Sequence, residues 1–535
     1  MESRATLPAL LDELAGRFGP REALVSSRRR MTYAELAAES VTIGRALAAR
    51  GVGKGTRVGL LMPNWPEWMA TAFAVWRCGA LLVPVNTLCR PRELAHFLRH
   101  ADVALLIAVR AFLRHDYLAA LEEIAPGLTR AVPFSRRVVL PALRDVVWVE
   151  RPAVGQSVDG TPLHAGAERL PAAWPDLLTD RVAPADPATV FFTSGTTAEP
   201  KGVVHAHRAL RRAAEDVAAV LGIEAGDRTW GYLPFFFTGG LVAVVLATLA
   251  RGAAVVLQEV FEPGETLRLL AEEGCTVFFA WPHQAEALIA HPRFAETRLR
   301  LRKGVGANTK WAARLYPQEH DAVGTFGMTE TAPLCTAWPW DAPLARRTSS
   351  HGPPVRGREV RICEPESGAA ARTGAEGEIC VRGPSLFTHY YKRAPGEALD
   401  DEGFFHTGDG GYVDEEGRLF FEGRLNDIIK TGGANVSPLE IDAALAETEG
   451  VKLSQTVGVP HELMGEMIVS CVVPIEGYTL QEAALCAELK TQLASYKVPR
   501  KILFVKEEEL SFTGSAKVRT QALRDFVADK LFKLA

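Results

Sequence analysis

The sequence predicts an α/β protein with a large N-terminal domain and a small C-terminal domain. A chain of 535 residues is too long to fold around one hydrophobic core. Short apolar strands alternate with helices along residues 1–190, a pattern typical of a mostly parallel sheet with helices on both faces. Near residue 424 the chain changes to a shorter α/β series. We therefore predict two domains, residues 1–424 and 425–535.

The composition is that of an ordinary globular enzyme. Hydrophobic residues make up 47% and charged residues 23% of the chain, both within the usual range. The net charge of −4 provides no overall basic surface, so we expect no nucleic-acid partner. The eight cysteines include no CxxC pair and no Cys/His cluster at zinc spacing. We interpret them as small buried residues in a reducing compartment.

Two further features predict a cytoplasmic protein. Residues 1–19 form an amphipathic helical pattern that carries acids, unlike a signal peptide. The longest apolar run, residues 241–250, is about half the length of a membrane-spanning helix and is followed by Arg251. We therefore expect no stable insertion into a membrane.

The alternation of elements begins with a capped helix. Thr32 and Glu35 have the spacing of a capping box, which predicts that a helix starts there. Strands are predicted over residues 57–62 and 80–84, with a helix between them. Residues 126–188 are rich in Pro, Arg and Ala with weak periodicity, so we expect an irregular excursion with one or two strands. Beyond residue 437 the predicted elements are helix, strand, strand, helix and strand, over residues 438–447, 455–459, 468–473, 480–494 and 502–505.

A loop rich in hydroxyls and glycine follows a predicted buried strand at residues 189–192. Its small residues leave backbone N–H groups exposed and its hydroxyls add donors, so the loop can wrap a polyphosphate. A lysine then supplies a point charge for phosphate oxygens, and we expect Gly202 to turn the chain into the next segment. The spacing differs from the Walker A motif. The predicted phosphate-binding residues are Thr193, Ser194, Gly195, Thr196, Thr197 and Lys201.

The order TSGTT-x-x-PKG in residues 193–202 resembles the phosphate loop of the adenylate-forming superfamily. This superfamily includes acyl-CoA synthetases, luciferases and the adenylation domains of peptide synthetases. The resemblance extends from about residue 7 to 525, with the motifs in the family's order, and is greatest to acyl-CoA ligases. It implies an N-terminal domain of mixed sheets with covering helices and a small, mobile C-terminal α/β domain.

Residues 231–240, GYLPFFFTGG, contain three consecutive aromatic residues shortly before two glycines. Such a segment is either plain core or a pocket wall, in which aromatic faces line an apolar space and glycines leave room for a thin ligand. In the superfamily a similar motif borders the acyl pocket and the pantetheine tunnel. Many relatives have His at the position of Phe237, so this sequence favours an apolar acid. The predicted pocket residues are Phe236, Phe237, Gly239 and Trp281.

Two segments resemble the family's nucleotide site. Residues 304–308, GVGAN, correspond to a turn against adenine, where small residues let a flat base approach the backbone. In residues 324–331, GTFGMTET, Phe326 offers a face for adenine and Thr329 a hydroxyl for the α-phosphate. Glu330 offers a hard oxygen ligand for Mg²⁺. The predicted nucleotide-binding residues of the two segments are Gly306, Ala307, Thr325, Phe326, Gly327, Met328 and Thr329.

Five further residues lie around the domain boundary, at positions where the family carries characteristic residues. Asp409, in a TGD motif, resembles the aspartate that accepts hydrogen bonds from the ribose diol, although Gly-Asp is also typical of an Asx turn. Arg424 resembles the arginine that contacts ribose and phosphate. Asn426 falls at the hinge, where relatives usually have Lys or Asp. The resemblance implies that Gly432 and Gly433 let the pantetheine arm pass.

Residues 513–519, TGSAKVR, resemble the segment that carries the family's catalytic lysine. The resemblance implies that Lys517 neutralises charge during adenylation, whereas a lone lysine near a C-terminus is otherwise a solvated residue. Ala516 replaces the usual glycine. The residues implied to act on the reacting phosphates are thus Lys517, Thr193 and Glu330.

The resemblance implies two half-reactions that use ATP, Mg²⁺ and CoA. The substrate carboxylate attacks the α-phosphorus of ATP and pyrophosphate leaves, which gives an acyl-adenylate. The thiol of CoA then attacks the acyl carbonyl and AMP leaves. Neither His205 nor His207 is needed as a base in this scheme.

The predicted substrate is a hydrophobic carboxylic acid, aliphatic, alicyclic or aromatic. Amino-acid-activating relatives usually place an Asp for the amino group at the start of the segment taken here by Phe235 and Phe236. An unpaired buried ammonium would be costly. One alternative is an enzyme that hands the acyl-adenylate to another protein; another is a nucleotide-binding protein without chemistry. The presence of Glu330, Asp409, Arg424 and Lys517 argues against the second alternative. A homodimer is left open.

Overall fold

A computed structural model describes the protein over most of its length. It divides the chain into two compact units, the first formed by Met1–Glu359 and Arg382–Gly403 and the second by Val360–Val381 and Phe404–Ala535. The functional boundary between residues 424 and 425 stays a prediction. The described residues are 5–127, 139–150, 162–171, 173–193, 200–317, 319–365, 367–425, 427, 429–431, 434–461, 465–493, 497–510 and 520–534.

The strands are short and fall into several sheets. In chain order they are β1 (Glu22–Val25), β2 (Arg30–Thr32), β3 (Arg57–Leu61), β4 (Leu81–Pro84), β5 (Leu105–Val109), β6 (Ala111–Phe112), β7 (His115–Asp116), β8 (Asp145–Val149), β9 (Pro187–Thr193), β10 (Lys201–Ala206), β11 (Arg228–Gly231), β12 (Ala254–Leu257), β13 (Val277–Phe278), β14 (Lys303–Gly304), β15 (Thr325–Phe326), β16 (Thr336–Ala337), β17 (Glu359–Cys363), β18 (Gly377–Arg382), β19 (His389–Tyr390), β20 (Phe405–Val413), β21 (Leu419–Arg424), β22 (Ile429–Thr431), β23 (Ala434–Val436), β24 (Val451–His461), β25 (Gly465–Pro474) and β26 (Lys501–Phe504).

Helices separate most of these strands. The α-helices are α1 (Leu7–Phe18), α2 (Tyr33–Ala49), α3 (Pro66–Arg77), α4 (Pro91–His100), α5 (Tyr117–Ile124), α6 (Trp174–Thr179), α7 (His207–Val220), α8 (Ala247–Leu249), α9 (Pro263–Glu272), α10 (Pro282–Ala290), α11 (Lys310–Leu315), α12 (Leu344–Ser349), α13 (Pro438–Leu445), α14 (Glu482–Gln492) and α15 (Thr520–Leu534). A π-helix spans Gly239–Leu246, and 3₁₀ turns span Ala167–Arg169, Phe294–Glu296, Thr329–Thr331 and Glu507–Glu509.

The first unit contains two large sheets. One has the order β19-β10-β9-β4-β3-β5-β8 and is parallel from β9 to β8, whereas β10 is antiparallel to both β9 and β19. The other has the order β14-β13-β11-β12-β1-β2 and is parallel except for β2. The predicted α/β class with mixed sheets and covering helices is therefore confirmed.

Helix α3 lies in the core of the first unit, and all of its residues are buried. Its charged residues are paired, as buried charges must be. Glu67 accepts a hydrogen bond of 3.0 Å from Arg29, and the Nη1 of Arg77 donates to the Asp12 carboxylate at 3.1 Å. Trp68 and Trp76 of the same helix are among the largest fully buried side chains.

The capping box predicted at the start of α2 is confirmed. The Glu35 backbone N–H donates to the Thr32 hydroxyl at 3.2 Å, and the Thr32 N–H donates to the Glu35 carboxylate at 2.7 Å.

The apolar run at residues 241–250 lies mostly in the buried π-helix. Across the residues that the structure describes, every helix is too short or too polar to cross a membrane.

In the second unit, a four-stranded sheet has the order β17-β18-β20-β21, and a second sheet has the order β23-β22-β25-β24 with β26 on β25. Alternate residues of β25 face opposite sides of the second sheet, as the strand period requires. Ile468 and Val472 pack with helices α13 and α14. Val469 and Cys471 pack with α15. Helices therefore cover both faces of this sheet.

Candidate active site

Strands β9 and β10 frame the predicted phosphate loop. They pair antiparallel, and Thr193 at the end of β9 lies opposite Lys201 at the start of β10. The predicted buried strand is confirmed, since Val190 and Phe191 of β9 belong to the core. Thr193 and Lys201 therefore mark the two ends of the loop. The predicted loop residues Ser194, Gly195, Thr196 and Thr197 lie outside the described residues.

The prediction that Gly202 turns the chain is wrong. Gly202 lies inside strand β10, paired with Phe192 of β9. A Cβ at this position would lie 2.9 Å from Val190 Cγ1 and 3.1 Å from Tyr391 Cβ, which is too close for normal packing. The glycine therefore serves the close approach of neighbouring chain segments rather than a turn.

Lys201 and Glu330 meet the same tyrosine. The ammonium of Lys201 lies 5.2 Å from the ring centroid of Tyr390, a distance at which a cation interacts with an aromatic face. The Tyr390 hydroxyl donates a hydrogen bond to Glu330 Oε1 at 2.9 Å. One residue of the short strand β19 thus connects the phosphate-loop lysine with the proposed magnesium ligand. Tyr390 was missed by the sequence reasoning, because it belongs to no motif considered there.

A buried histidine connects strand β10 with the turn that carries Glu330. The Nε2 of His205 lies 2.8 Å from the Thr329 carbonyl oxygen, which can only accept, so Nε2 carries the proton. His205 is fully buried, and burial lowers its pKa to about 4. The imidazole is therefore neutral at neutral pH. This residue holds the position of the Thr329–Thr331 turn, a role that the sequence reasoning missed.

The turn itself is closely held. The Met328 N–H donates to the Thr331 hydroxyl at 2.9 Å, and the Glu330 carbonyl accepts from the Phe387 N–H at 2.9 Å. A Cβ on Gly327 would lie 1.7 Å from the Pro333 carbonyl oxygen, so only glycine fits there. These contacts fix the backbone from which the Glu330 carboxylate projects.

The two predicted adenine-binding segments lie side by side. Val305 and Val323 form a parallel bridge, and the Ala307 N–H donates to the Val323 carbonyl at 3.3 Å. Gly306 has a φ of 86°, and a Cβ there would lie 2.4 Å from the Trp311 ring. Segment 304–308 is therefore held against the start of strand β15, which contains Thr325 and Phe326.

The predicted pocket aromatics form a continuous cluster. The rings of Phe236 and Phe237 lie 4.5 Å apart, and the Phe237 and Trp281 rings lie 6.1 Å apart, edge to face. Trp281 also stacks on His283 at 5.8 Å, which the sequence reasoning had not assigned to the site. Gly239 has open space where a Cβ would be, since the nearest atom is 4.0 Å away. The aromatic contacts are thus present, and their role as the wall of an acyl pocket stays a prediction.

In the second unit, the two predicted ribose-contacting residues form an ion pair. Asp409 and Arg424 lie opposite each other on β20 and β21. The Arg424 Nε lies 2.9 Å from Asp409 Oδ1, and its Nη1 donates to the Thr407 carbonyl at 2.9 Å. The Asp409 side chain is buried, with 6% exposed, whereas 45% of Arg424 is exposed. The ion pair fixes the carboxylate of the TGD motif.

Comparison with known protein families identifies the family of this chain. Residues 11–391 match the model of the AMP-binding enzymes, and residues 440–517 match the C-terminal domain of AMP-binding enzymes. The chain belongs to the AMP-binding enzyme family. The predicted membership of the adenylate-forming superfamily is therefore confirmed.

Several relatives of this AMP-binding enzyme are named as CoA ligases. The indoleacetate–CoA ligase of Aromatoleum aromaticum is 32% identical, over 98% of each chain. The sulfoacetate–CoA ligase of Cupriavidus necator is 32% identical, over 94% of each chain. ATP-bound MatB from Rhodopseudomonas palustris is a structural relative with a TM-score of 0.81 and 26% identity, over 98% of this chain and 99% of that one.

These relatives confirm the predicted reaction class, an AMP-forming acid–thiol ligase. They do not favour the alternative in which the enzyme stops at the adenylate. The remaining predicted residues, Lys517, Ala516, Asn426, Gly432 and Gly433, lie outside the described part of the chain. Their roles stay predictions.

Proposed function

We propose that this AMP-binding enzyme converts a hydrophobic carboxylic acid, ATP and CoA to acyl-CoA, AMP and pyrophosphate. The contact between Phe237 and Trp281 is the observation that carries the choice of acid. Overall sequence identity does not distinguish a hydrophobic from a polar acid, because the indoleacetate and sulfoacetate ligases are equally identical to this chain. Residues 231–240 contain no acidic residue to pair with the ammonium of an amino acid.

In the first half-reaction a carboxylate oxygen of the acid bonds to the α-phosphorus, and the bond from that phosphorus to pyrophosphate breaks. Glu330 is the residue that would hold Mg²⁺, because its carboxylate oxygens suit a hard cation and Tyr390 orients them. When bound, Mg²⁺ supplies positive charge to the phosphate oxygens. Lys201, Thr193 and Lys517 add donors where negative charge builds up.

In the second half-reaction the CoA sulfur bonds to the acyl carbonyl carbon, and the bond to the AMP oxygen breaks. We assign the ribose of the nucleotide to Asp409, whose carboxylate is fixed by Arg424. Residues 425–535 are proposed to rotate as the small domain about Asn426, which withdraws Lys517 and brings Gly432 and Gly433 to the thiol's path. A hinge of this kind needs only a few backbone dihedral changes.

We place the enzyme in the cytoplasm. The support is chemical, since seven of the eight cysteines are buried and all eight are free thiols, the form that a reducing compartment maintains. A homodimer stays open as the oligomeric state, and light scattering of the purified enzyme measures it directly.

A panel of acids tests the substrate proposal. Pyrophosphate release is measured for aliphatic acids of increasing length, alicyclic acids, aromatic acids, acetate and free amino acids. Each buried methylene contributes about 0.8 kcal/mol, so kcat/KM should rise with apolar size until the pocket is full. Best activity on acetate or on an amino acid would overturn the proposed pocket while leaving the reaction class intact.

A further inference from the structure

Two buried cysteines and a histidine meet in the second unit, on the sheet that also carries Asp409 and Arg424. Cys363 lies on β17, Cys380 on β18 and His406 on β20. Their two sulfurs and one ring nitrogen all lie within 4.8 Å of one another. Both cysteines are fully buried, whereas 33% of the His406 side chain is exposed. The two sulfurs are thus shielded from solvent, whereas the histidine side of the cluster is accessible to solvent.

The distance between one pair of ligand atoms fits a tetrahedral zinc site. Cys380 and His406 are directly opposite on antiparallel strands, with Sγ and Nδ1 3.4 Å apart. Zinc bonds of about 2.3 Å to sulfur and about 2.0 Å to nitrogen, at the tetrahedral angle, place S and N about 3.5 Å apart. The spacing in the structure therefore needs little change to accept the ion.

A fourth donor is already in place. Glu378 lies two residues before Cys380 on the same face of β18, and its Oε2 is 2.7 Å from His406 Nδ1. Its other oxygen accepts a hydrogen bond of 2.8 Å from the Gly408 N–H. The carboxylate can therefore complete a set of two thiolates, one imidazole and one carboxylate.

A positive charge offsets the excess negative charge of such a set. Two thiolates, one carboxylate and a divalent ion sum to a single negative charge. Arg361 lies close enough to Cys380 to interact electrostatically, and its guanidinium lies 4.1 Å over the Phe404 ring. Phe404 in turn packs with both cysteines. The surroundings therefore combine an apolar wall with a compensating cation.

We propose that Cys363, Cys380, His406 and Glu378 bind one Zn²⁺ ion, which ties strands β17, β18 and β20 together. Binding releases the two thiol protons, and the proton on His406 Nδ1 moves to Nε2 so that Nδ1 can bind the ion. The site lies close to Asp409, the proposed ribose-binding residue, because His406 precedes it by three residues on β20. Its role is structural: it holds the strand that presents the ribose-binding carboxylate. The expectation that the cysteines form no zinc-type cluster rested on sequence spacing, whereas these ligands come from three separate strands.

Metal content tests the proposal. The untagged enzyme is incubated with Zn²⁺, dialysed extensively and analysed by mass spectrometry for zinc per chain. We expect about one zinc in the wild type and at least a tenfold loss in the Cys363→Ser, Cys380→Ser double variant. Cys471→Ser is the matched control, a buried cysteine of the same unit outside the cluster, and should keep the zinc. A zinc-free wild type, or equal zinc in the double variant, would overturn the proposal.

Cobalt substitution of the wild type gives a second reading that does not depend on the folding of any variant. Co²⁺ in a tetrahedral site with two thiolates shows sulfur-to-metal charge-transfer absorption and intense visible bands. We expect these bands to appear at one equivalent and to disappear when Zn²⁺ is added. Absence of the bands, or a Cys363–Cys380 disulfide found by peptide mapping of the freshly purified enzyme, would contradict the zinc site.

Discussion

The hydroxyl of Tyr390 donates a 2.9 Å hydrogen bond to the carboxylate of Glu330. The same tyrosine ring lies under the ammonium of Lys201. A residue outside the recognised motifs thus contacts both the proposed magnesium ligand and the lysine of the phosphate loop. If the Glu330 carboxylate holds Mg²⁺, its orientation depends on this hydrogen bond.

Tyr390→Phe removes the hydroxyl and keeps the ring beneath Lys201. A hydrogen bond to a charged group contributes roughly 1.5–3 kcal/mol, so the variant should need about tenfold more Mg²⁺ for half-maximal adenylation. The measurement is pyrophosphate release as a function of Mg²⁺ concentration. Tyr391→Phe is the control and should leave this dependence unchanged.

A double-mutant cycle separates this account from a general loss of structure. Glu330→Gln should fold normally, adenylate slowly and need more Mg²⁺. Adding Tyr390→Phe to Glu330→Gln should then have little further effect, because the carboxylate that the hydroxyl orients is gone. Additive losses, or a Glu330→Gln enzyme with wild-type magnesium dependence, would remove Glu330 from the metal site.

The buried His205 predicts a loss of stability in acid. Its folded pKa of about 4 lies below the usual histidine value of 6.5, so below pH 6.5 the unfolded chain binds the proton more strongly. The stability contribution is complete above pH 6.5 and is lost as the pH falls towards 4, by up to about 3 kcal/mol.

Urea unfolding between pH 7 and 4 measures this contribution. His205→Gln keeps a donor for the Thr329 carbonyl but does not titrate, so its stability should fall less steeply than that of the wild type. His461→Gln is the control and should follow the wild-type curve. Parallel curves for wild type and His205→Gln would show that His205 does not govern this loss.

Lys517→Ala should impair one half-reaction far more than the other. Only adenylation develops the phosphate charge that this lysine is proposed to meet, and removal of one such donor costs about 100- to 1,000-fold. Thioester formation from preformed acyl-adenylate and CoA should remain close to the wild-type rate, as measured by rapid quench. Lys506→Ala, which removes another lysine of the same domain, should affect neither step. Equal losses in both steps would contradict the assignment.

Phe237→Ala should widen the range of accepted acids towards bulkier ones and weaken discrimination between them. The ring packs against both Phe236 and Trp281, so its removal enlarges the space that they border. The panel of acids measures the change in kcat/KM. Phe235→Leu is the contrasting variant, because Phe235 packs on Trp68 in the core, and it should lower stability without changing the preference. An unchanged preference in Phe237→Ala would place the acyl group elsewhere.

Local patterns could be predicted from the sequence, whereas contacts between distant residues could not. The capping box of Thr32 and Glu35 is visible because its partners are three residues apart. The hydrogen bond from Tyr390 to Glu330 joins residues 60 positions apart, and that from His205 to Thr329 joins residues 124 apart. Neither pair has a sequence signal without knowledge of the sheet order.

Gly202 illustrates a second limit of the sequence. Glycine serves both tight turns and close packing, and the residue type does not distinguish these uses. Only the pairing of β9 with β10 and the nearby Tyr391 show that close packing applies here. By contrast, Asp409 and Arg424 were each predicted from motifs to contact the ribose, and the strand register brings them together.

Mass spectrometry of the reaction products tests the central claim, which is that this chain joins an acid to CoA through an acyl-adenylate. The purified enzyme is incubated with ATP, Mg²⁺ and a hydrophobic acid, with and without CoA. We expect enzyme-bound acyl-adenylate and pyrophosphate without CoA, and acyl-CoA with equimolar AMP when CoA is present. Formation of ADP, or acyl-adenylate that persists unchanged in the presence of CoA, would contradict the account.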